Sequence, residues 1–204
     1  MHKSDNMHLR GGVYMIVYTF QHPIVLGQII KEEKLRCAPK YWDEDMVKYY
    51  EWMYDQYKQR IGSYEKSLVW VWEKIPDFYF EQDEDEEWIV ERDEPYRYRV
   101  LLVLDIPQER ILWSDYDAWH VPLNDGQILT KVEELEEAQG KKFDETHGWE
   151  YVFDLEWLME NEWSGEITKQ GVFDVVDISA IQEIRYYDCK KKQFMDASVI
   201  RIQE

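Results

Sequence analysis

Apolar positions along the chain fall into short runs and helical repeats that together predict an α+β domain. Val13 to Phe20 is apolar and rich in β-branched and aromatic residues, which is typical of a buried strand. Tyr96 to Ile106 contains five consecutive aliphatic residues, as expected for a central strand covered on both faces. The same reasoning predicts further strands at Leu68–Trp72, Val172–Val176, Ile181–Tyr187 and Ser198–Ile202.

Helical spacing of apolar residues predicts several helices between these strands. The clearest helix follows Asp43, a candidate N-cap, and ends at Gly62, a residue that favours helix termination. A shorter helix begins at Pro23, and two more are predicted over residues 128–138 and 154–163. The chain is therefore predicted to be one α+β domain over residues 15–204, with a mostly antiparallel or mixed sheet and three to five helices.

The first fourteen residues differ in character from the rest of the chain. They are polar, and Arg10-Gly11-Gly12 can be encoded by a purine-rich sequence that resembles a bacterial ribosome-binding site. With a short spacer, this places Met15 as the expected start of translation and residues 1–14 as a mis-called leader. The alternative is a disordered N-terminal tail.

The charge of the chain limits the surfaces that it can bind. The sequence has 24 Lys and Arg against 43 Asp and Glu, which gives a formal charge of −19. Such an acidic protein lacks the basic face that neutralises nucleic-acid phosphates or anionic lipids. Aromatic residues make up 16 % of the chain, so a sizeable core is expected despite the charge. We therefore expect neither direct nucleic-acid binding nor membrane attachment.

Cysteine content and hydropathy indicate the compartment. Cys37 and Cys189 are the two cysteines, and they do not form a CxxC pair. No apolar run reaches the roughly 18 residues of a membrane span, and no apolar signal core is visible. Reduced thiols in a cytoplasmic protein are the expected state.

A strongly acidic stretch over residues 81–94 is one candidate partner-binding surface. It carries nine carboxylates and one arginine, interrupted by Trp88 to Val90. A solvated charged hairpin or loop is the simpler interpretation. The alternative is a docking surface for a basic protein, in which spaced carboxylates imitate nucleic-acid phosphates. The partner-binding candidates are Glu81, Asp83, Glu84, Asp85, Glu86 and Glu87.

Motifs of several common enzyme classes are missing from the sequence. It contains no GxGxxG or GxxxxGK[ST] phosphate-binding loop, no G-x-S-x-G elbow and no metal-ligand spacing around its histidines. We therefore expect no cofactor and no metal site. The pattern favours a protein that acts by binding over an enzyme.

The segment from Ser114 to His120 is the densest local group of chemically capable side chains. His120 could act as an acid or base, with Asp115 orienting it and Tyr18 from the first strand beside it. Tyr18, Asp117 and Trp119 are the candidate ligand-binding residues. The alternative is structural: Asp115 caps a helix, Trp119 fills the core and His120 bonds to the backbone.

The chain resembles a family of bacterial and phage proteins that is described as a domain of unknown function. The resemblance extends from Met15 to about Tyr187 and is carried by the stretch Ser114-Asp115-Tyr116-Asp117-Ala118-Trp119-His120, together with Val17–Gln21, Tyr50–Met53, Arg60–Gly62, Val71-Trp72, Leu112-Trp113 and Gly171–Phe173. This family implies a fold class and no established activity.

The chain also resembles ADP-ribosyltransferase-like proteins. Tyr18-Thr19-Phe20 followed by the helix over Ile24–Leu35 is similar to their first strand and helix, and Ser114–Ala118 is similar to the Thr-Asp-Gly-Asn-Ala segment of the DNA-modifying members. Gln170–Phe173 lies where those members have Gln-x-Glu-Phe, which puts Val172 in place of the catalytic glutamate. The resemblance thus implies an NAD- or nucleotide-binding relative with a degenerate site, for which Glu166 is the nearest other glutamate upstream.

These observations leave three hypotheses of different class, the third of which is a structural or accessory protein with no discrete site. The first is an acidic cytoplasmic protein that binds a basic partner protein, with inhibition by nucleic-acid mimicry as one form. The second is an enzyme of ADP-ribosyltransferase-like architecture with a cleft formed by Tyr18, Trp119 and His120.

Overall fold

The protein is an α+β domain built on a seven-stranded antiparallel sheet. The computed structural model describes residues 12–77, 98–161, 163, 165–189 and 191–195. The strands in these ranges are β1 (Tyr14–Gln21), β2 (Lys34–Arg36), β3 (Val69–Trp72), β4 (Tyr98–Pro107), β5 (Leu112–Asp115), β6 (Lys169–Phe173), β7 (Val175–Asp177), β8 (Ile181–Asp188) and β9 (Gln193–Phe194). The α-helices are α1 (Ile24–Glu32), α2 (Val47–Arg60), α3 (Tyr116–Leu123), α4 (Lys131–Ala138) and α5 (Leu155–Glu160).

The order of strands in the large sheet is β5-β6-β3-β1-β4-β8-β9, and β2 pairs with β7 in a separate two-stranded sheet. Every pair is antiparallel, which confirms the predicted α+β class. β1 lies at the centre, where Tyr18 is opposite Val103 of β4 and Trp72 of β3. The five aliphatic residues of β4 from Val100 to Leu104 are buried, as predicted for a strand covered on both faces.

The helix predicted after Asp43 begins later than expected. Asp43 accepts a hydrogen bond from the Asp45 N–H and so caps a short 3-10 turn over Glu44–Met46, and α2 starts at Val47. Its inward face is aromatic, because Tyr49, Met53 and Tyr57 are buried. Gly62 follows the helix with a φ of +90°, which a residue without a Cβ adopts freely, so the predicted stop is confirmed.

The single strand predicted over Val172–Val176 is wrong. The structure has two strands in different sheets, β6 and β7, separated by Asp174. Asp174 is fully buried, and its carboxylate accepts hydrogen bonds from the Tyr64 N–H at 2.7 Å and from Arg110 Nη2 at 2.6 Å. These bonds hold the chain at the point where it leaves one sheet and enters the other.

The helices predicted over residues 128–138 and 154–163 exist in shorter form. α4 starts at Lys131 because Thr130 caps it, and the two apolar residues before the cap, Ile128 and Leu129, are buried. α5 starts after Asp154, whose side chain accepts a hydrogen bond from the Trp157 N–H at 3.0 Å. In both cases a capping side chain sets the first residue of the helix.

Three predictions concern parts of the chain outside the described residues. They are the leader over residues 1–14, of which residues 1–11 are not described, the acidic stretch over residues 81–94 and the strand Ser198–Ile202. Tyr14 is the first residue of β1, and the carbonyl of the preceding residue, Val13, accepts a hydrogen bond from the Gln108 N–H at 2.8 Å. Among the described helices, none has the length and apolar character that crossing a membrane requires.

Candidate functional site

Asp115 joins the end of β5 to the start of α3 and is completely buried. Its Oδ1 accepts a hydrogen bond from the Ala118 N–H at 2.8 Å, and its Oδ2 accepts one from the Thr168 N–H at 2.9 Å. The carboxylate therefore satisfies two backbone donors, one at the helix N-terminus and one at the approach to β6. This arrangement is the capping role, one of the two roles considered for this residue.

Trp119 lies in the core of the domain. It is buried, and its ring stacks between Trp52 of α2 and Trp70 of β3, with centroid distances of 5.9 and 5.8 Å. A ring held between two others contributes its area to packing. The structure thus places this candidate ligand-binding residue beneath the surface.

His120 and Asp117 are both exposed on α3. His120 Nδ1 lies 2.8 Å from the backbone carbonyl oxygen of Tyr116, one turn earlier. Because a carbonyl oxygen only accepts, Nδ1 carries the proton in this bond and Nε2 is the acceptor of the neutral ring. The expected pairing of His120 with Asp115 is not formed, since the hydrogen bond of the ring goes to the backbone.

Four aromatic side chains form a row that connects Tyr18 to His120. Tyr18 lies opposite Trp72 in the sheet register, Trp72 lies 5.1 Å from the Tyr116 ring, and Tyr116 lies 4.3 Å from the His120 ring. We call Tyr18, Trp72, Tyr116 and His120 the aromatic row. Ring contacts therefore run from His120 to Trp72, which is the register partner of Tyr18, whereas Asp115 and Trp119 are buried in the interior.

A second acidic region is visible within the described residues, around α4. Residues 130–161 contain ten carboxylates and three lysines, a net charge of −7. We define the α4 acidic surface as the carboxylates of Glu133, Glu134, Glu136, Glu137, Asp144, Glu145, Glu150 and Asp154. For this region the sequence predicted the helices over residues 128–138 and 154–163 and no binding surface.

α4 is held rigidly at its N-terminus by a reciprocal cap. The Thr130 hydroxyl accepts from the Glu133 N–H, and Glu133 Oε2 accepts from the Thr130 N–H at 2.8 Å. Glu133 Oε1 lies 2.8 Å from His147 Nε2 in the following loop. Hydrogen bonds lower the pKa of Glu133 to about 2: the bond from the Thr130 N–H has the largest effect, followed by those from His147 and from the Thr130 hydroxyl. The Thr130-x-x-Glu133 spacing is a capping-box signature in the sequence, but the His147 contact has no local signal.

Carboxylates from three segments converge on the ring of Tyr151. Partial burial raises the pKa of Tyr151, and the negative charges of Glu133, Glu150 and Asp154 raise it further. Tyr151 also stacks on Trp157 at 4.1 Å, which fixes its position. The charges of Glu133, Glu150 and Asp154 therefore act on the same ring, at the junction between α4 and the segment that leads into α5.

The position that the transferase resemblance assigns to a catalytic glutamate holds a core residue. Val172 is buried in β6, between Trp70 of β3 and Leu112 of β5. Glu166, the other glutamate considered, is exposed in the segment before β6. Within the described ranges, no cluster of three His, Cys, Asp or Glu side chains is close enough to hold a metal ion.

Comparisons with known proteins agree with the domain-of-unknown-function resemblance. No curated protein and no solved structure matches the chain. One family matches residues 16–192, which is most of the sequence and includes every described helix and all strands of the large sheet except the first two residues of β1 and the whole of β9. The chain belongs to this family, described as a domain of unknown function (DUF3841).

Proposed function

We propose that this protein acts by binding a partner protein with a basic surface, and that the α4 acidic surface is part of the binding face. The observation that carries the proposal is the convergence of carboxylates from α4 and from the segment before α5 around Tyr151. Complementary charge of this kind raises association rates and excludes partners of like charge.

The position of α4 in the fold supports this role. None of its residues is buried, so the helix contributes little to the core. A capping box nevertheless fixes its first turn, and His147 holds Glu133 from the following loop. A helix that is rigid and yet packs so little is suited to presenting its side chains to another molecule.

α4 also offers apolar contacts among its acidic residues. Val132 is 66 % exposed and Leu135 is 64 % exposed, one helical turn apart on the same side. Exposed carboxylates steer a partner from a distance, and apolar side chains give affinity at contact. We therefore expect a partner whose basic residues surround an aliphatic or aromatic side chain.

The experiment compares two variants of equal charge as affinity baits in a lysate of the cells that carry the gene. The test variant is Glu134→Gln, Glu137→Gln, Glu150→Gln, and the matched control is Glu44→Gln, Asp45→Asn, Asp55→Asn; all six side chains are exposed. The purified partner is then titrated against each. We expect binding to the wild type and to the control, loss of binding with the test variant, and weakening as salt shortens the screening length below about 10 Å.

Equal binding by both variants would refute the assignment of the face. Equal loss in both would show that net charge alone is responsible. A partner that binds the wild type and is unaffected by salt would contradict the electrostatic basis of the proposal.

The acidic stretch over residues 81–94 remains a prediction of the same kind. Neutralising Glu81, Asp83, Glu84, Asp85, Glu86 and Glu87 together should reduce binding of the same partner with little change in thermal stability. If the partner is a nucleic-acid-binding protein, a DNA duplex should compete with this protein for it. If DNA does not compete, the partner is a basic protein that does not bind nucleic acid through the same surface.

A second candidate function is ligand binding or catalysis at the aromatic row. The ring contacts from Trp72 through Tyr116 to His120 favour it, since the half-buried Tyr116 ring lies against the exposed imidazole and offers a stacking surface beside it. Because Val172 occupies the glutamate position, we expect no transfer of ADP-ribose from NAD. An assay with labelled NAD tests this, and transfer that is lost in His120→Ala would favour the enzyme over the binding protein.

A further inference from the structure

α1 carries aliphatic side chains on its outer side as well as on the side that faces the core. Its sequence from Ile24 to Glu32 contains five aliphatic residues, and Ile29 alone is buried. Ile24 is 68 % exposed and Ile30 is 56 % exposed. Aliphatic side chains on a helix are normally covered by other elements, and none of the described elements covers Ile24 and Ile30.

Gly27 occupies the middle of that outer side. It is exposed, and a Cβ built on it would have no atom within 4 Å. Glycine inside a helix costs about 1 kcal/mol relative to alanine, and neither space nor backbone conformation within this protomer requires it. A second backbone approaching from outside would explain a glycine here, because the absence of a Cβ allows close contact between helices.

The spacing around Gly27 is self-complementary. Ile24 precedes it by three residues and Ile30 follows it by three. In an antiparallel pair of identical helices that cross at Gly27, each Ile24 lies opposite the Ile30 of the other copy. We propose that two copies of this chain associate through antiparallel packing of α1 on α1, with Gly27 at the two-fold axis.

The surroundings of α1 fit a second copy of the same acidic chain. Residues 24–41 carry four basic and two acidic side chains, a net charge of +2 in a chain of −19. Two such chains repel each other through their excess of carboxylates, and this region does not share that excess. Tyr41 and Ile178 are exposed beside the helix: the Tyr41 hydroxyl accepts from Gln28 Nε2 at 3.2 Å, and the Ile178 N–H donates to the Glu33 carbonyl at 2.9 Å.

The expected association is weak. A helix of nine residues with two flanking side chains supplies less than the roughly 800 Å² per partner of a standard interface. We therefore expect a dissociation constant on the order of 10 µM, and exchange between monomer and dimer within the time of a sedimentation experiment.

Sedimentation equilibrium of the full chain tests the proposal. The wild type should approach twice its 25.0 kDa mass as concentration rises. Ile24→Gln, Ile30→Gln should remain monomeric, whereas the matched control Val132→Gln, Leu135→Gln, which removes two equally exposed aliphatic side chains from α4, should dimerise like the wild type. A wild type that is monomeric at ten times the expected dissociation constant would overturn the proposal, as would equal dimerisation of the α1 variant.

Gly27→Leu separates the interface from folding. Leucine in an exposed helix position with open space should stabilise the monomer by up to about 1 kcal/mol, measured by urea unfolding. The same side chain should block the close approach and abolish the dimer. Dimerisation equal to that of the wild type would overturn the crossing point at Gly27.

Disulfide cross-linking reports the orientation of the helices. In a Cys37→Ser background, the antiparallel arrangement predicts that Ile24→Cys and Ile30→Cys proteins cross-link to each other faster than either does to itself. Preferential self-linking of either protein would indicate a different packing and contradict the proposal.

Salt distinguishes this dimer from the proposed partner complex. Screening should strengthen the association of two −19 chains through an apolar contact, and it should weaken the binding of a basic partner to the α4 acidic surface. The α1 variant should still bind the partner, and the α4 charge variant should still dimerise, so either proposal can fail without the other.

Discussion

Replacement of Asp115 is the sharpest test of whether the segment from Ser114 to His120 is a site or a structural corner. Asp115→Asn keeps the size of the side chain but replaces one acceptor oxygen with an N–H₂ group that only donates. Either the Ala118 N–H or the Thr168 N–H then faces a donor in a fully buried position. We expect the variant to be less stable because one backbone donor loses its partner.

The magnitude follows from the two hydrogen bonds of the carboxylate. Bonds to a charged group contribute roughly 1.5–3 kcal/mol each, so Asp115→Asn should lower the free energy of unfolding by about 2–3 kcal/mol. Asp115→Ala removes both acceptors and the helix cap, and should cost about 3–5 kcal/mol. For a chain of this length the melting temperature changes by about 2–4 °C per kcal/mol, which gives a fall of about 4–12 °C for the asparagine variant.

Urea unfolding followed by tryptophan fluorescence provides the assay, with Asp117→Asn as the matched control. Asp117 is the same residue type two positions away and is exposed, so its substitution should change the free energy of unfolding by less than about 1 kcal/mol. His120→Ala should also fold with nearly wild-type stability. An Asp115→Asn protein as stable as the wild type, but unable to bind a partner or ligand, would refute the structural assignment.

Two further predictions concern the loops around α4. Glu133→Gln should lower the free energy of unfolding at neutral pH by about 1–2 kcal/mol. Because the pKa of Glu133 falls from an ordinary 4.5 to about 2 in the folded protein, the carboxylate contributes fully above pH 4.5 and its contribution disappears as the pH falls towards 2. If the stabilities of the wild type and the variant do not converge near pH 2, this explanation is contradicted. Gly148→Ala should lower the free energy of unfolding, measured in urea, by more than about 3 kcal/mol, because Gly148 has a φ of +78° and an added Cβ would lie 1.9 Å from the Ile128 carbonyl oxygen. The control is Gly140→Ala: Gly140 has a φ of +93° but open space around it, so this substitution should cost only about 1 kcal/mol.

Local signals in the sequence account for helices and strands that begin or end because of residues close to them along the chain. Pro23 marks the start of α1, and the aliphatic run of β4 predicted a strand buried on both faces. Asp154 and Thr130, which cap α5 and α4, are ordinary capping residues. In each case the physical cause lies within a few residues of its effect.

Distant contacts account for what the sequence did not predict. The break at Asp174 depends on Tyr64 and Arg110, which lie more than sixty residues away along the chain. Trp119 was a candidate for a ligand site because its spacing alone does not reveal that Trp52 and Trp70 enclose it. The contact between Glu133 and His147 is invisible for the same reason.

The place of β6 in the sheet has a consequence for how the chain folds during synthesis. β6 lies between β3 and β5, both of which leave the ribosome earlier, so half of the large sheet cannot close until residue 173 has been made. Until then the Trp70 side of β3 and the Leu112 side of β5 have no neighbouring strand. Pairings this distant along the chain slow folding, and the waiting edges can pair with other chains. At about 5–20 residues per second, the nascent protein spends several seconds with two open strand edges, and aggregation through these edges is most favoured during that interval.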